Sequence, residues 1–121
     1  MKKDFVEALT AIAESVYDFH VRWDLLNSFK SPHDTICDRE NLLLEEIKEL
    51  AAEYNKSNKE KSVELLSREA ADVLYVSVGS MLVLGDEGIK AMLQVSKKNN
   101  NKTRESHFFD EEVNKVKRLD V

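Results

Sequence analysis

One proline and three glycines in 121 residues leave this chain almost without breakers. Proline removes a backbone donor and glycine loosens the chain, so their scarcity permits long helices and starves a sheet fold of turns. The apolar spacing agrees. Phe5, Leu9, Ile12, Val16, Phe19 and Trp23 recur at steps of three and four, which predicts a first helix from about Asp4 to Asn27. The segment "SFKSPHDTIC" ends it, because Pro32 and its small polar neighbours favour a turn. A second helix, about Asp38 to Asn55, places Leu43, Ile47 and Leu50 on one face and Glu45, Glu46, Glu49 and Glu53 on the other. "NKSNKEKS" reads as a loop, after which a third helix runs from about Val63 to Leu84 and stops near Gly85. A fourth covers about Glu87 to Lys98. From about residue 104 the tail is polar, with a short helix expected in "DEEVNKVKRL". The expected fold is all-α, an antiparallel four-helix bundle in a single domain, residues 1–121.

Charge narrows the partners. Eighteen basic and 23 acidic residues give a net −5, which argues against general affinity for nucleic acid or an anionic membrane. The balance is uneven, since Gln94 to Arg104 holds four cations and no acid. Fourteen basic and all 23 acidic residues lie outside that stretch, a net −9 there. A local anion site inside an acidic protein is therefore expected. The single cysteine, Cys37, cannot form an intramolecular disulfide, and "MKKDFVEALT" lacks the apolar core of a secretory signal, so a cytoplasmic location is expected. Cys37 has no convincing catalytic partner and reads as an inert buried or loop thiol. The apolar run Val73 to Leu84 is 12 residues long, short of the roughly 20 that span a membrane. It reads instead as a helix buried on several sides, in part by a second subunit.

The third helix raises the chemical question. At about 100° per residue, Glu69 and Asp72 point the same way as Leu65, Leu66, Val73 and Val76. They lie inside the apolar stripe, where an ionised carboxylate is costly unless a partner compensates it. Glu46 and Glu49 on the second helix share the same i, i+3 spacing. Two helices joined by a short loop pack antiparallel, so the two pairs can face each other and form an oxygen-rich site of the kind Mg²⁺ prefers. The alternatives are a solvated acidic face on the second helix, and on the third an ion pair or a carboxyl kept protonated by a raised pKa. A di-iron bundle is disfavoured, because that arrangement uses Glu-x-x-His twice and no histidine here has a glutamate three residues before it.

These residues, taken in order, resemble the all-α NTP pyrophosphatases of the MazG type, including the phosphoribosyl-ATP pyrophosphohydrolase-like branch. "EEIKE" (Glu45 to Glu49) is similar to the family's Glu-Glu-x-x-Glu, and "EAAD" (Glu69 to Asp72) to its Glu-x-x-Asp. "DVLYVSVGSMLVLG" and "KNNNKT" resemble the later helix and an Asn-x-x-Lys element, so the likeness runs from about Phe19 to His107. It implies that Glu46, Glu49, Glu69 and Asp72 hold Mg²⁺, with Mn²⁺ as a substitute, and that Lys98, Asn99 and Lys102 reach the substrate's phosphates. The counterpart of Glu45 is a ligand, a water-orienting group or a residue behind the ligands. The implied reaction splits a nucleoside triphosphate between the α and β phosphorus into monophosphate and pyrophosphate, in a homodimer or homotetramer (a dimer of dimers) whose sites are lined by more than one subunit.

Other residues keep two readings. "FHVRW" resembles a His-x-x-aromatic segment, which makes His20 and Trp23 candidates for nucleobase contact, whereas Trp23 also continues the core stripe with His20 beside it. Tyr75 fits either a base contact or a subunit interface. The lysines of "KKNNNKT" fit phosphate binding or a frayed helix end favoured by the helix dipole. The rival function is a non-catalytic helical interaction or regulatory module that retains a structural metal site.

Overall fold

The computed structural model describes residues 1–120. Helix α1 spans Lys2–Arg22, α2 Pro32–Tyr54, α3 Val63–Val83 and α4 Gly85–Asn100, followed by strands β1 His107–Asp110 and β2 Lys115–Arg118. Local chemistry accounts for most boundaries. Ser31 caps α2 by accepting from the Asp34 amide at 3.1 Å, and Pro32 occupies the first turn, where its missing N–H costs nothing. The expected turn around Pro32 is thus the start of a longer helix, six residues earlier than the spacing predicted. Helix α1 correspondingly ends at Arg22 rather than Asn27, and Asp24 turns the chain with φ 54°. Ser62 caps α3 through the Leu65 amide at 3.2 Å. Gly85, at φ 61°, makes the left-handed corner between α3 and α4 that other residues adopt at a cost.

Helix α3 is the hub. It packs against α2 most extensively and also against α1 and α4, while no other pair of helices brings Cα atoms within 8 Å. Helical elements dominate as expected, but the chain alone does not close a four-helix bundle. The tail departs further, because "DEEVNKVKRL" lies in an antiparallel hairpin, not a helix. His107 pairs with Arg118, Phe108 with Lys117, Phe109 with Val116 and Asp110 with Lys115. The spacing Val113, Val116, Leu119 imitates a helical step. The aromatic pair in β1 and Asn114 at φ 51° favour strand and turn instead.

Little of the chain is shielded from water. Among the described residues the buried hydrophobic side chains are Val16 and Val76, at 0% and 8% exposure, and His20 is buried at 3%. Total accessible area is 10256 Å², against about 6,700 Å² for a compact monomer of this mass. Among the described residues, no helix is long and apolar enough to cross a membrane.

Candidate metal centre

The close α2–α3 contact brings the two carboxylate pairs together. One oxygen from each of Glu46, Glu49, Glu69 and Asp72 lies within 4.8 Å of the other three. Glu46 and Glu69 are half-buried and Glu49 and Asp72 exposed, so the group sits at the lip of the helix contact with one side open to water. None of the four is in an ion pair among the described residues. Oε2 of Glu46 and Oε2 of Glu69 are buried without any hydrogen-bond donor. Burial pushes the Glu46 carboxyl above its ordinary range, and the nearby Glu49 and Asp72 push it further. Glu69 is raised for the same reasons, burial first and then Glu49, Asp72 and Glu53. Four acids and no cation is an arrangement that repels itself.

The donor set suits a hard divalent ion. Four carboxylate oxygens within 4.8 Å of one another would hold such an ion through hard oxygen donors alone. The two donor-less oxygens are the positions where a cation would offset most of the burial cost. Of the readings open from the pattern, the ion pair finds no partner here, while protonation and metal binding both fit the raised pKa values.

The remaining predicted residues are distributed around this group. Glu45 is exposed and outside the cluster, acting on Glu46 only through its charge. Lys98 is exposed in the last turn of α4, and Asn99 spends its amide on Val95 O at 3.0 Å. Lys102 is half-buried beside the hairpin, in a cavity of about 160 Å³ shared with His107, Phe109 and Val116. No ion pair joins these cations to the carboxylates within one chain. His20 is closed off from solvent, its Nδ1–H donating to Val16 O at 2.7 Å and its Nε2 without a partner. Tyr75 meets Phe19 edge to face at 6.2 Å, with its hydroxyl 3.0 Å from Ser15 Oγ. Trp23 is 62% exposed at the end of α1, so it does not continue the core stripe within the chain. Cys37 is exposed on α2, neither buried nor in a loop.

Two residues near this site were not anticipated. Glu53, one turn beyond Glu49, turns one oxygen to Lys56 at 2.8 Å and buries the other without a donor. Its i+4 spacing from Glu49 was the available signal. Arg39 crosses from α2 to α3, donating from Nε to Ser80 Oγ and from Nη2 to Val76 O, both at 2.9 Å. Burial lowers its pKa from the ordinary value. Gly79 makes room for it, because a Cβ there would collide with the Arg39 guanidinium and crowd the His20 ring. Arg39 lies seven residues before Glu46, two turns along the same face. Comparison with family models, with curated proteins and with solved structures finds no match for this chain.

Proposed function

We propose that this protein is a Mg²⁺-dependent nucleoside triphosphate pyrophosphohydrolase that resembles the MazG-type all-α enzymes. The observation that carries the reading is the convergence of Glu46, Glu49, Glu69 and Asp72 with two buried oxygens lacking donors. Those four side chains would hold the metal, which when bound supplies charge neutralisation for the phosphate chain and activates water for in-line attack. A nucleophilic side chain is not required. Glu45, exposed one residue before Glu46, would orient a water or a ligand from the solvent side. Lys98, Asn99 and Lys102 carry the phosphate contacts by resemblance. Lys102 has the clearest role, as a cation to receive charge accumulating on departing pyrophosphate. Trp23, Tyr75 and His20 stand for the nucleoside end of the site. The exposed Trp23 is the ring a base would meet, whereas Tyr75 and the buried His20 would act through the packing of α1 on α3.

The assembly proposed is a homodimer or dimer of dimers in the cytoplasm. Its support is the large accessible area and an apolar groove of about 470 Å³ between α1 and α3, lined by Phe5, Ala8, Leu9, Ile12, Ala71 and Leu74. Small residues at Ala8 and Ala71 let another helix approach closely, so a second copy would complete the bundle that one chain leaves open.

The test is a panel of canonical and modified NTPs and dNTPs with Mg²⁺, read by pyrophosphate release. Activity abolished by EDTA and restored by Mg²⁺ supports the reading, and full activity in excess EDTA refutes it. A second reading, the non-catalytic helical interaction module with a structural metal, draws on the same exposed apolar area. It predicts saturable metal binding with no turnover of any nucleotide in the panel.

A further inference from the structure

The C-terminal hairpin has no visible means of support. Neither strand brings a Cα within 8 Å of any helix, and each strand is only 4 residues long. A two-stranded hairpin of that size is marginal in water on its own. Its side chains are nevertheless not those of a solvated tail. Phe108, Phe109, Val113, Val116 and Leu119 are exposed by 45%, 54%, 57%, 42% and 41%. Phe109 and Val116 face each other across the ladder with no helix packed over them, only the 102–104 segment beside them.

Area and charge both indicate the occupant. The chain exposes about 3,500 Å² more than a compact monomer of its mass would, within the range that obligate interfaces bury. Strand β2 presents Lys115, Lys117 and Arg118; Lys117 is paired with Asp110 at 2.8 Å, and the other two have no ion-pair partner among the described residues. The chain itself offers the complement in α2, where Asp34, Glu40 and Glu45 are exposed acids outside both the carboxylate cluster and the ion pairs. That helix also exposes Leu44 and Ile47 by 45% and 43%, with Glu40 on the same stripe. An apolar strip carrying acids matches an apolar strand pair edged with cations.

We propose that the C-terminal hairpin is an exchanged arm that packs on a second copy of this chain, with Phe109 and Val116 against that copy's exposed apolar surface and β2 beside its acidic α2. The proposal rests on the self-association put forward above and assigns the element that fastens it. Lys102 and Arg104 lie in the short segment leading into the arm, so docking would bring them to the partner's side of the interface. The site would then take cations from a neighbouring chain.

Dilution measured by light scattering or sedimentation, together with hydrogen exchange on the full chain, tests it. The wild type should associate, and the hairpin ladder amides should gain protection only at concentrations where the oligomer is populated. Phe109→Ser combined with Val116→Ser should raise the dissociation constant at least about tenfold with helical circular dichroism unchanged. Lys115→Glu with Arg118→Glu should weaken association by a smaller factor that shrinks as salt is added. A monomeric wild type at all concentrations overturns both this inference and the assembly it rests on. An oligomer that the serine pair leaves unaltered overturns the arm alone. Hairpin protection independent of concentration does the same, because the hairpin then folds back on its own helices. If the serine pair disturbs the helices, the wild-type exchange result decides.

Discussion

The α2–α3 pair and the C-terminal hairpin are both antiparallel partners joined by a polar turn, and they are incomplete in opposite ways. Between α2 and α3 the helices meet closely, and the contact traps carboxylate oxygens with no donor. The hairpin brings no Cα within 8 Å of any helix and turns apolar side chains to water. The carboxylate cluster of the first region lacks a paired cation and the second region lacks cover. An unpaired buried carboxylate and an unburied phenylalanine are both unfavourable, but a cation relieves the one and a protein surface the other. The contrast teaches that a chain without a closed core can leave two separate and chemically different needs unmet.

The largest effect should come from removing ligand charge on the α2–α3 side. Glu69→Gln or Asp72→Asn should cut turnover by about 10³-fold, since metal assistance supplies several kcal/mol of transition-state stabilisation. The apo protein should keep or gain stability, because the amides relieve repulsion. Marked destabilisation of the apo fold would show a structural carboxylate in place of a ligand. Next in size is Lys102→Met, expected to lower kcat/KM for the triphosphate by about 10²-fold with little change in metal binding. If Lys102 only complements the end of α4, kinetics stay at wild type and stability shifts by about 0.3–1 kcal/mol.

Arg39→Met should act on stability before activity, because two charge-assisted bonds between α2 and α3 are lost. A cost of about 1.5–3 kcal/mol is expected, read by denaturant unfolding. No change would mean that the crossing contributes nothing to holding the two helices in register. The smallest effect is the pH dependence of the metal-free protein. Glu46 and Glu69 keep their protons to higher pH when folded than when unfolded. The folded state therefore binds more protons above the ordinary glutamate value of about 4.3, and stability should rise as pH falls through the raised values toward it. The gain is lost at neutrality, where added Mg²⁺ should restore stability by mass action. Thermal unfolding across pH, with and without Mg²⁺, checks both directions.

Legibility in the sequence followed the same division. The α2–α3 pair was readable because a helical period and two i, i+3 carboxylate pairs identify which side chains share a face, and a short loop brings those faces together. Arg39 was missed because a lone arginine on a helix looks solvated until the helix opposite supplies Ser80, Gly79 and a free carbonyl edge at Val76. Pro32 was read as a breaker when Ser31 before it makes a capped helix start, a distinction that depends on one side-chain bond. The tail misled for a different reason. Three apolar residues at steps of three fit one face of a helix, and only the aromatic pair upstream and the left-handed Asn114 select the hairpin.

Magnesium titration by isothermal calorimetry at neutral pH, on the wild type and on Glu69→Gln combined with Asp72→Asn, addresses the carboxylate centre most directly. The wild type should show saturable binding, with Mn²⁺ competing for the same capacity, and the double variant should lose at least about 100-fold in affinity while staying folded. Equal affinity in the two proteins, or no saturable binding to the wild type, would contradict a metal site between α2 and α3.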